Sequence, residues 1–335
     1  MTTSVATTAE PEADWQTLYR RSYTDPQALL TALDLPMTLL PAARRAAALF
    51  PLRAPPGFVA RMQRGDANDP LLRQVLPLGD EELPAPGFVP DPVGDLAAMP
   101  LPGVLHKYHG RVLLIMTGAC AINCRYCFRR HFPYAESQLS QGQWREALDY
   151  LASSKDVSEV ILSGGDPLLL PDEKLAARLQ DLAALPGLKR LRIHSRLPVV
   201  LPERMTPALT GMLRDSRLQA VLVLHANHPR ELDTSVAAAL GGLREAGLTL
   251  LNQAVLLRGI NDNAATQRAL SERLFEIGVL PYYLHALDPV AGAAHFETAE
   301  RIALELIAIL RTQLPGYLVP RLVREDPGAP GKTPL

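Results

Sequence analysis

Residues 111–127 read RVLLIMTGACAINCRYC, and this stretch decides the fold. An apolar run, Val112–Met116, stops at Thr117-Gly118 and gives way to Cys120, Cys124 and Cys127. A short apolar run closed by glycine reads as a strand covered on both faces, the kind found in parallel sheets. Downstream the rhythm repeats. Apolar runs at Val160–Leu162, Leu191–Ile193, Val221–Leu224, Leu248–Leu257 and Leu280–Leu287 alternate with amphipathic stretches near 143–152, 172–185, 207–213, 232–246, 264–277 and 297–314. Leu175/Leu179/Leu182, Val236/Leu240/Leu243 and Ile302/Leu306/Ile309 keep helical spacing. Six strand–helix units in succession predict an α/β fold, a partial (β/α)6 TIM-like barrel.

Upstream, helices are expected near Asp14, Pro26 and Pro41–Leu49. Residues 79–103 carry Pro84, Pro86, Pro90, Pro92, Pro100 and Pro102, so they predict an extended wrap rather than helix or central strand. The expected organisation is a disordered segment 1–12, a helical N-terminal region with the wrap over 13–103, the barrel over 104–315, and a C-terminal segment over 316–335.

The chain has 335 residues, 47% hydrophobic, and a formal net charge of -1. That balance lacks the basic excess that nucleic acid or an anionic membrane attracts. No apolar run approaches the ~20 residues needed to span a bilayer. The N-terminus has neither the basic start nor the apolar run of a signal peptide, so the expected location is cytoplasmic. Three cysteines crowded together argue for metal, since a disulfide framework would spread them along the chain.

In parallel α/β folds the chemistry lies at the C-terminal ends of strands. Cys120–Cys127, Gly164–Asp166, His194, His225–His228 and Asp288 all follow apolar runs, and Asn252-Gln253 lies within the fifth. Three thiolates spaced C-x3-C-x2-C can ligate three irons of a 4Fe–4S cube and leave the fourth open to a chelating small molecule. A Cys3His zinc site completed by His131 or His109 is the alternative reading of the same residues. The turn Ser163-Gly164-Gly165-Asp166 one unit later favours the cluster, because its glycines let a backbone approach a ligand. Together the two motifs resemble the radical S-adenosylmethionine enzymes, in which the second segment holds the methionine amino group.

The resemblance extends further. HKYHGRVLLIMTGACAINCRYCFRRHFPYAE, ILSGGDPL, LRIHSRLPVV, NHPRELD, LLNQAVLLRGINDN, PYYLHALDPVAGAAHF and GKTPL, with NDPLLRQ at 68–74, resemble the lysine 2,3-aminomutase family. The match from about Asp14 onward is closest to its short EpmB-type branch, which makes (R)-β-lysine for modifying elongation factor P. The resemblance implies three cofactors: the cluster on Cys120, Cys124 and Cys127, S-adenosylmethionine, and pyridoxal phosphate on Lys332. The tail carrying Lys332 is then expected to close on the active site. It further implies Lys107, Tyr108 and Arg111 at the cofactor phosphate, and Ser163, Gly164, Gly165, Asp166, His225, Asn252 and Gln253 around S-adenosylmethionine. Arg129 matches the residue that takes the substrate carboxylate.

Asp288 and Glu325 match two acids that hold the far ammonium of lysine, although longer family members carry aspartate at the second position. Those members also have further cysteines for zinc and a C-terminal extension, so no zinc and a simpler assembly are expected, with an oligomer still allowed. Implied partners are L-lysine and an electron donor such as flavodoxin or ferredoxin. Elongation factor P and its lysyl ligase follow in the pathway without required contact. The competing readings are an aminomutase for another amino acid such as glutamate, a zinc-binding interaction module, and a radical enzyme in which Lys332 is inert.

Overall fold

The computed structural model describes residues 14–137 and 139–335; the expected disordered segment 1–12 lies outside them. One sheet organises the chain. Its strands are β1 (Val104–Tyr108), β2 (Arg111–Thr117), β3 (Glu159–Gly164), β4 (Arg190–Ser195), β5 (Gln219–His225), β6 (Thr249–Val255), β7 (Leu280–His285), β8 (Arg321–Arg324) and β9 (Thr333–Pro334), paired in sequence order. Strands β2 to β8 run parallel, while β1 and β9 close the two edges antiparallel. The sheet is therefore an open barrel. It holds seven parallel strands rather than six, because Arg321–Arg324 pairs with β7 from Tyr283↔Arg321 to His285↔Val323. Four residues ending in arginines carry too little pattern to read as a strand.

Period-two alternation sorts each strand's side chains. Val112, Leu114 and Met116, Val160 and Leu162, Leu191 and Ile193, Leu222 and Leu224, Leu250 and Ala254, Leu284 and Leu322 join the main apolar core under the helices. Their neighbours Ile115, Ile161, Val223 and Leu251 do not, and they share the inner face with Arg192, His194, His225, Gln253, Tyr283 and His285. The barrel thus has a polar inner face inside an apolar shell.

The N-terminal helices Trp15–Arg20, Pro26–Ala32 and Leu40–Leu49 form where expected; Asp14 and Asp25 cap the first two, and Pro26 opens the second. Leu29, Leu30, Phe58, Leu71 and Leu72 belong to the same core as the barrel strands, so packing is continuous across residue 103. The wrap holds short 3-10 turns and one bridge, Val89↔Val290, to the loop after β7. Among the described residues, no helix is long and apolar enough to cross a membrane.

Candidate active site

The cysteine loop follows β2, and the N-terminal region grips it. Asn123 N donates to Arg53 O at 3.0 Å and Arg125 N to Gln74 O at 2.9 Å. Arg125, with no exposed surface, places Nε 2.8 Å and Nη2 2.5 Å from the Glu81 carboxylate and donates from Nη1 to Phe50 O at 2.7 Å. Arg130 adds a bond from Nη2 to Glu81 at 2.7 Å. Arg125 and Arg130 are thus buried anchors for the loop. The three cysteines are half-buried and form no disulfide with one another. Burial pushes the Cys120 thiol up, and Cys127 up to about 11. Cys124 Sγ accepts from Arg196 Nη1 at 2.6 Å, and Arg196 Nη2 is held by Gln74 and Glu231 at 2.6 and 3.0 Å.

Both histidines proposed for a zinc site lie elsewhere. His109 is in the turn before β2, a strand's length from the cysteines, and pairs with Asp156 at 3.1 Å. His131 is exposed, with Nε2 3.0 Å from Ala291 O. Among the described residues, no three His, Cys, Asp or Glu side chains gather as one metal ion requires. Three thiols spaced along one loop suit a cluster in which each meets a different iron.

The glycine turn after β3 docks on this loop: Gly165 N donates to Thr117 O at 2.7 Å and Asp166 N to Ala119 O at 2.8 Å. Gly164 has φ +120, and a Cβ on Gly165 would sit 2.2 Å from Ala119 O. The glycines are demanded first by this close approach of two backbones. Asp166 is spent within the protein. Its carboxylate accepts from Ser195 Oγ at 2.8 Å and from the amides of Arg196, Leu197 and Leu168 at 2.8, 3.1 and 3.1 Å. It ties β3 to β4 and has no lone pair to spare for a cofactor's amino group.

A chain of charges crosses the mouth of the barrel. Arg129 donates from Nε to Asp95 Oδ2 at 2.7 Å and from Nη1 to Ser163 Oγ at 3.2 Å. Asp95 Oδ1 meets Lys107 Nζ at 2.6 Å, and Lys107 reaches Glu325 Oε1 at 3.1 Å. Glu325 Oε2 takes Lys332 Nζ at 2.6 Å. Side chains thereby join the first and last edges of the open sheet, and the tail closes on the site as expected. Burial alone would raise Glu325, but the Lys332 and Lys107 ammoniums hold it at about 2. Asp288, after β7, is pushed up to about 7 by burial and by the Glu325 charge. Tyr108 is raised by burial and by Glu325, and the Arg111 guanidinium stacks 4.5 Å over its ring.

Lys107 differs from its expected role. Its three ammonium hydrogens go to Asp95, Glu325 and Val93 O, the last at 2.8 Å, leaving none for a phosphate. Asn252 also differs. Alternation turns it outward, where Oδ1 accepts from Ala226 N at 2.9 Å and Nδ2 donates to Ala226 O at 3.0 Å. Its amide replaces strand hydrogen bonds as β5 ends and cannot reach a ligand in the bore.

His225 and Gln253 do face inward, with Nε2 of the amide 2.6 Å from the ring Nε2. Burial, then the Arg196 and Lys332 charges, lower His225 to about 3, so it is a neutral ring at working pH. Beside it, buried Nε2 atoms of His194 and His285 have no protein partner. Lys332 Nζ lies 5.7 Å from the Tyr283 ring centre and close enough to lower all three histidines. Orphaned polar atoms around a lysine that the tail brings in fit a polar aromatic cofactor. Sequence reasoning missed Asp95, Glu81, Gln74, Arg196 and Glu231. Of these, only Gln74, Arg196 and Glu231 lie in stretches that carried the resemblance.

The radical SAM superfamily model matches residues 114–267. The L-lysine 2,3-aminomutase of Escherichia coli strain K12 is 51% identical over 323 residues, covering 96% of this chain and 94% of its own. That of Haemophilus influenzae is 46% identical, with 96% and 95% covered. That of Clostridium subterminale is 38% identical over 281 residues, covering 84% of this chain and 67% of its own. With the cysteine loop, the glycine turn and the tail lysine converging on one polar bore, the chain belongs to the lysine 2,3-aminomutase family, isomerases built on the radical SAM domain.

Proposed function

We propose that this protein converts L-lysine to β-lysine, as the (R) enantiomer destined for elongation factor P. Family membership brings a 4Fe–4S cluster, S-adenosylmethionine and pyridoxal phosphate as cofactors. Bound here, they supply a carbon-centred radical and a conjugated ring that spreads unpaired spin; the protein supplies placement and electrostatics. Cys120, Cys124 and Cys127 hold the cluster and Lys332 anchors the pyridoxal. Arg111 and Tyr108 are assigned to the cofactor phosphate, and His225 with Gln253 to the nucleotide; the inward turn of His225 and Gln253 supports the second assignment. Gly164 and Gly165 set the turn that brings its backbone against the cluster loop.

The carrying observation is the charge pattern around Lys332: a buried Arg129 at one end, and Glu325 with Asp288 at the other. Arg129 keeps Nη2 free of protein partners among the described residues, so its guanidinium can take a carboxylate. Two acids beside the tail suit a second ammonium and repel the side chain of glutamate. Lys332 Nζ meets Glu325 Oε2 at 2.6 Å, the contact a substrate ammonium would make. Reduction by flavodoxin or ferredoxin, and a pathway link to elongation factor P and its ligase without direct contact, belong to the same proposal.

The test is product analysis. Oxygen-free, reconstituted and reduced protein is incubated with S-adenosylmethionine and either L-lysine or L-glutamate, and the products are resolved by chiral chromatography. (R)-β-Lysine from lysine, with nothing from glutamate, is the expected result. Cleavage of S-adenosylmethionine without β-lysine would remove the substrate assignment.

A further inference from the structure

Asp95 belongs to the proline-rich wrap, Lys107 to β1, Arg129 to the cysteine loop and Glu325 to the turn after β8, yet they form one line of ion pairs. Asp95 is 2% exposed and gives a separate oxygen to each cation, Oδ2 to Arg129 and Oδ1 to Lys107. It is itself placed by Asp91, whose carboxylate accepts from the Asp95 and Leu96 amides at 2.9 and 3.0 Å. Lys107 spends every hydrogen on the protein, so its task is to join two carboxylates, Asp95 and Glu325. Buried ion pairs with satisfied hydrogen bonds hold a narrow geometry, since breaking one leaves a charge uncompensated. The two ends of the line are the groups assigned to the two ends of the substrate.

We propose that Asp95 and Lys107 form a strut that fixes the spacing between Arg129 and Glu325 and thereby selects the chain length of a diamino acid. The inference rests on the proposed assignment of those two residues to the substrate carboxylate and ammonium. Loose ends could follow a shorter or longer substrate; a braced pair cannot. Ornithine, one methylene shorter, leaves an acid without its ammonium, and homolysine, one longer, overruns it. Asp95 and Lys107 are positioning residues, acting through the groups that touch substrate.

The readout is binding, independent of turnover. The full chain, loaded with pyridoxal phosphate but without the cluster, is titrated with L-lysine, L-ornithine and L-homolysine while cofactor absorbance is followed. The wild type is expected to favour lysine over both by about tenfold or more, above the lower end of what one methylene discriminates. Asp95→Asn and Lys107→Gln, which alter different elements, should bring all three affinities within about threefold of one another, well below that discrimination.

Variants that lose affinity for all three equally, or keep the wild-type ratios, would overturn the strut. So would a wild type that binds the three alike, a result that needs no variant to fold. A wild type that binds none of them would instead contradict the substrate assignment itself.

Discussion

Glu81→Gln should loosen the cysteine loop from a distance. Glu81 accepts from Arg125 Nε and Nη2 at 2.8 and 2.5 Å, from Arg130 Nη2 at 2.7 Å and from Leu78 N at 3.0 Å, with both guanidiniums almost wholly inside the protein. The amide keeps the shape and removes the charge, leaving two buried cations without their counter-ion. Removing one partner of a buried pair costs about 3–5 kcal/mol. At about 2 °C per kcal/mol, the low end suited to a long chain, the melting temperature falls by about 6–10 °C. Urea unfolding and melting of cluster-free protein measure the first effect; iron and sulfide per chain after reconstitution measure the second. A variant that melts within a degree of the wild type and fills its cluster normally would refute the view that the N-terminal region braces the cluster loop.

Further outcomes follow from single groups. Asp288, at about 7, is largely neutral below that pH and attracts no ammonium, whereas Glu325, at about 2, stays charged. The kcat/KM for lysine should therefore fall as pH drops through about 7, and Asp288→Asn should abolish that limb; a flat wild-type profile from pH 6 to 8 would contradict it. Gly165→Ala puts a Cβ against the Ala119 carbonyl, so reconstituted iron per chain should drop while the fold survives by circular dichroism. Asn252→Ala should cost about 1–3 kcal/mol in urea unfolding, from two buried backbone groups left unpaired. Calorimetry should show its S-adenosylmethionine affinity unchanged, because the amide points out of the bore.

What could be read from the sequence was local. The apolar runs and helical spacings placed the six long helices of the barrel to within a few residues, because each carries its own period, while the one-turn helices Tyr134–Ser137 and Leu197–Val200 are too short to show one. The rule that chemistry follows strand ends located the cysteine loop, the glycine turn and Asp288 before any contact was known. Long-range pairing was invisible. Asp95 sits in a proline-rich stretch with no periodicity, and its two partners lie on β1 and on the cysteine loop. Glu81 reads as one of several acids in a turn, though it is buried against two arginines more than forty positions away. Asn252 and Gln253 are adjacent in sequence, yet the pleat sends one outward and the other into the bore. β8 escaped notice because it is short, and its neighbours on the sheet define it.

Borohydride reduction of the pyridoxal-loaded protein, followed by peptide mass mapping, tests most directly whether the tail completes the active site. The pyridoxyl label is predicted on Lys332, with prior addition of L-lysine sharply reducing it. Label confined to another lysine, or labelling of Lys332 that is indifferent to L-lysine, would contradict the placement of cofactor and substrate in one site.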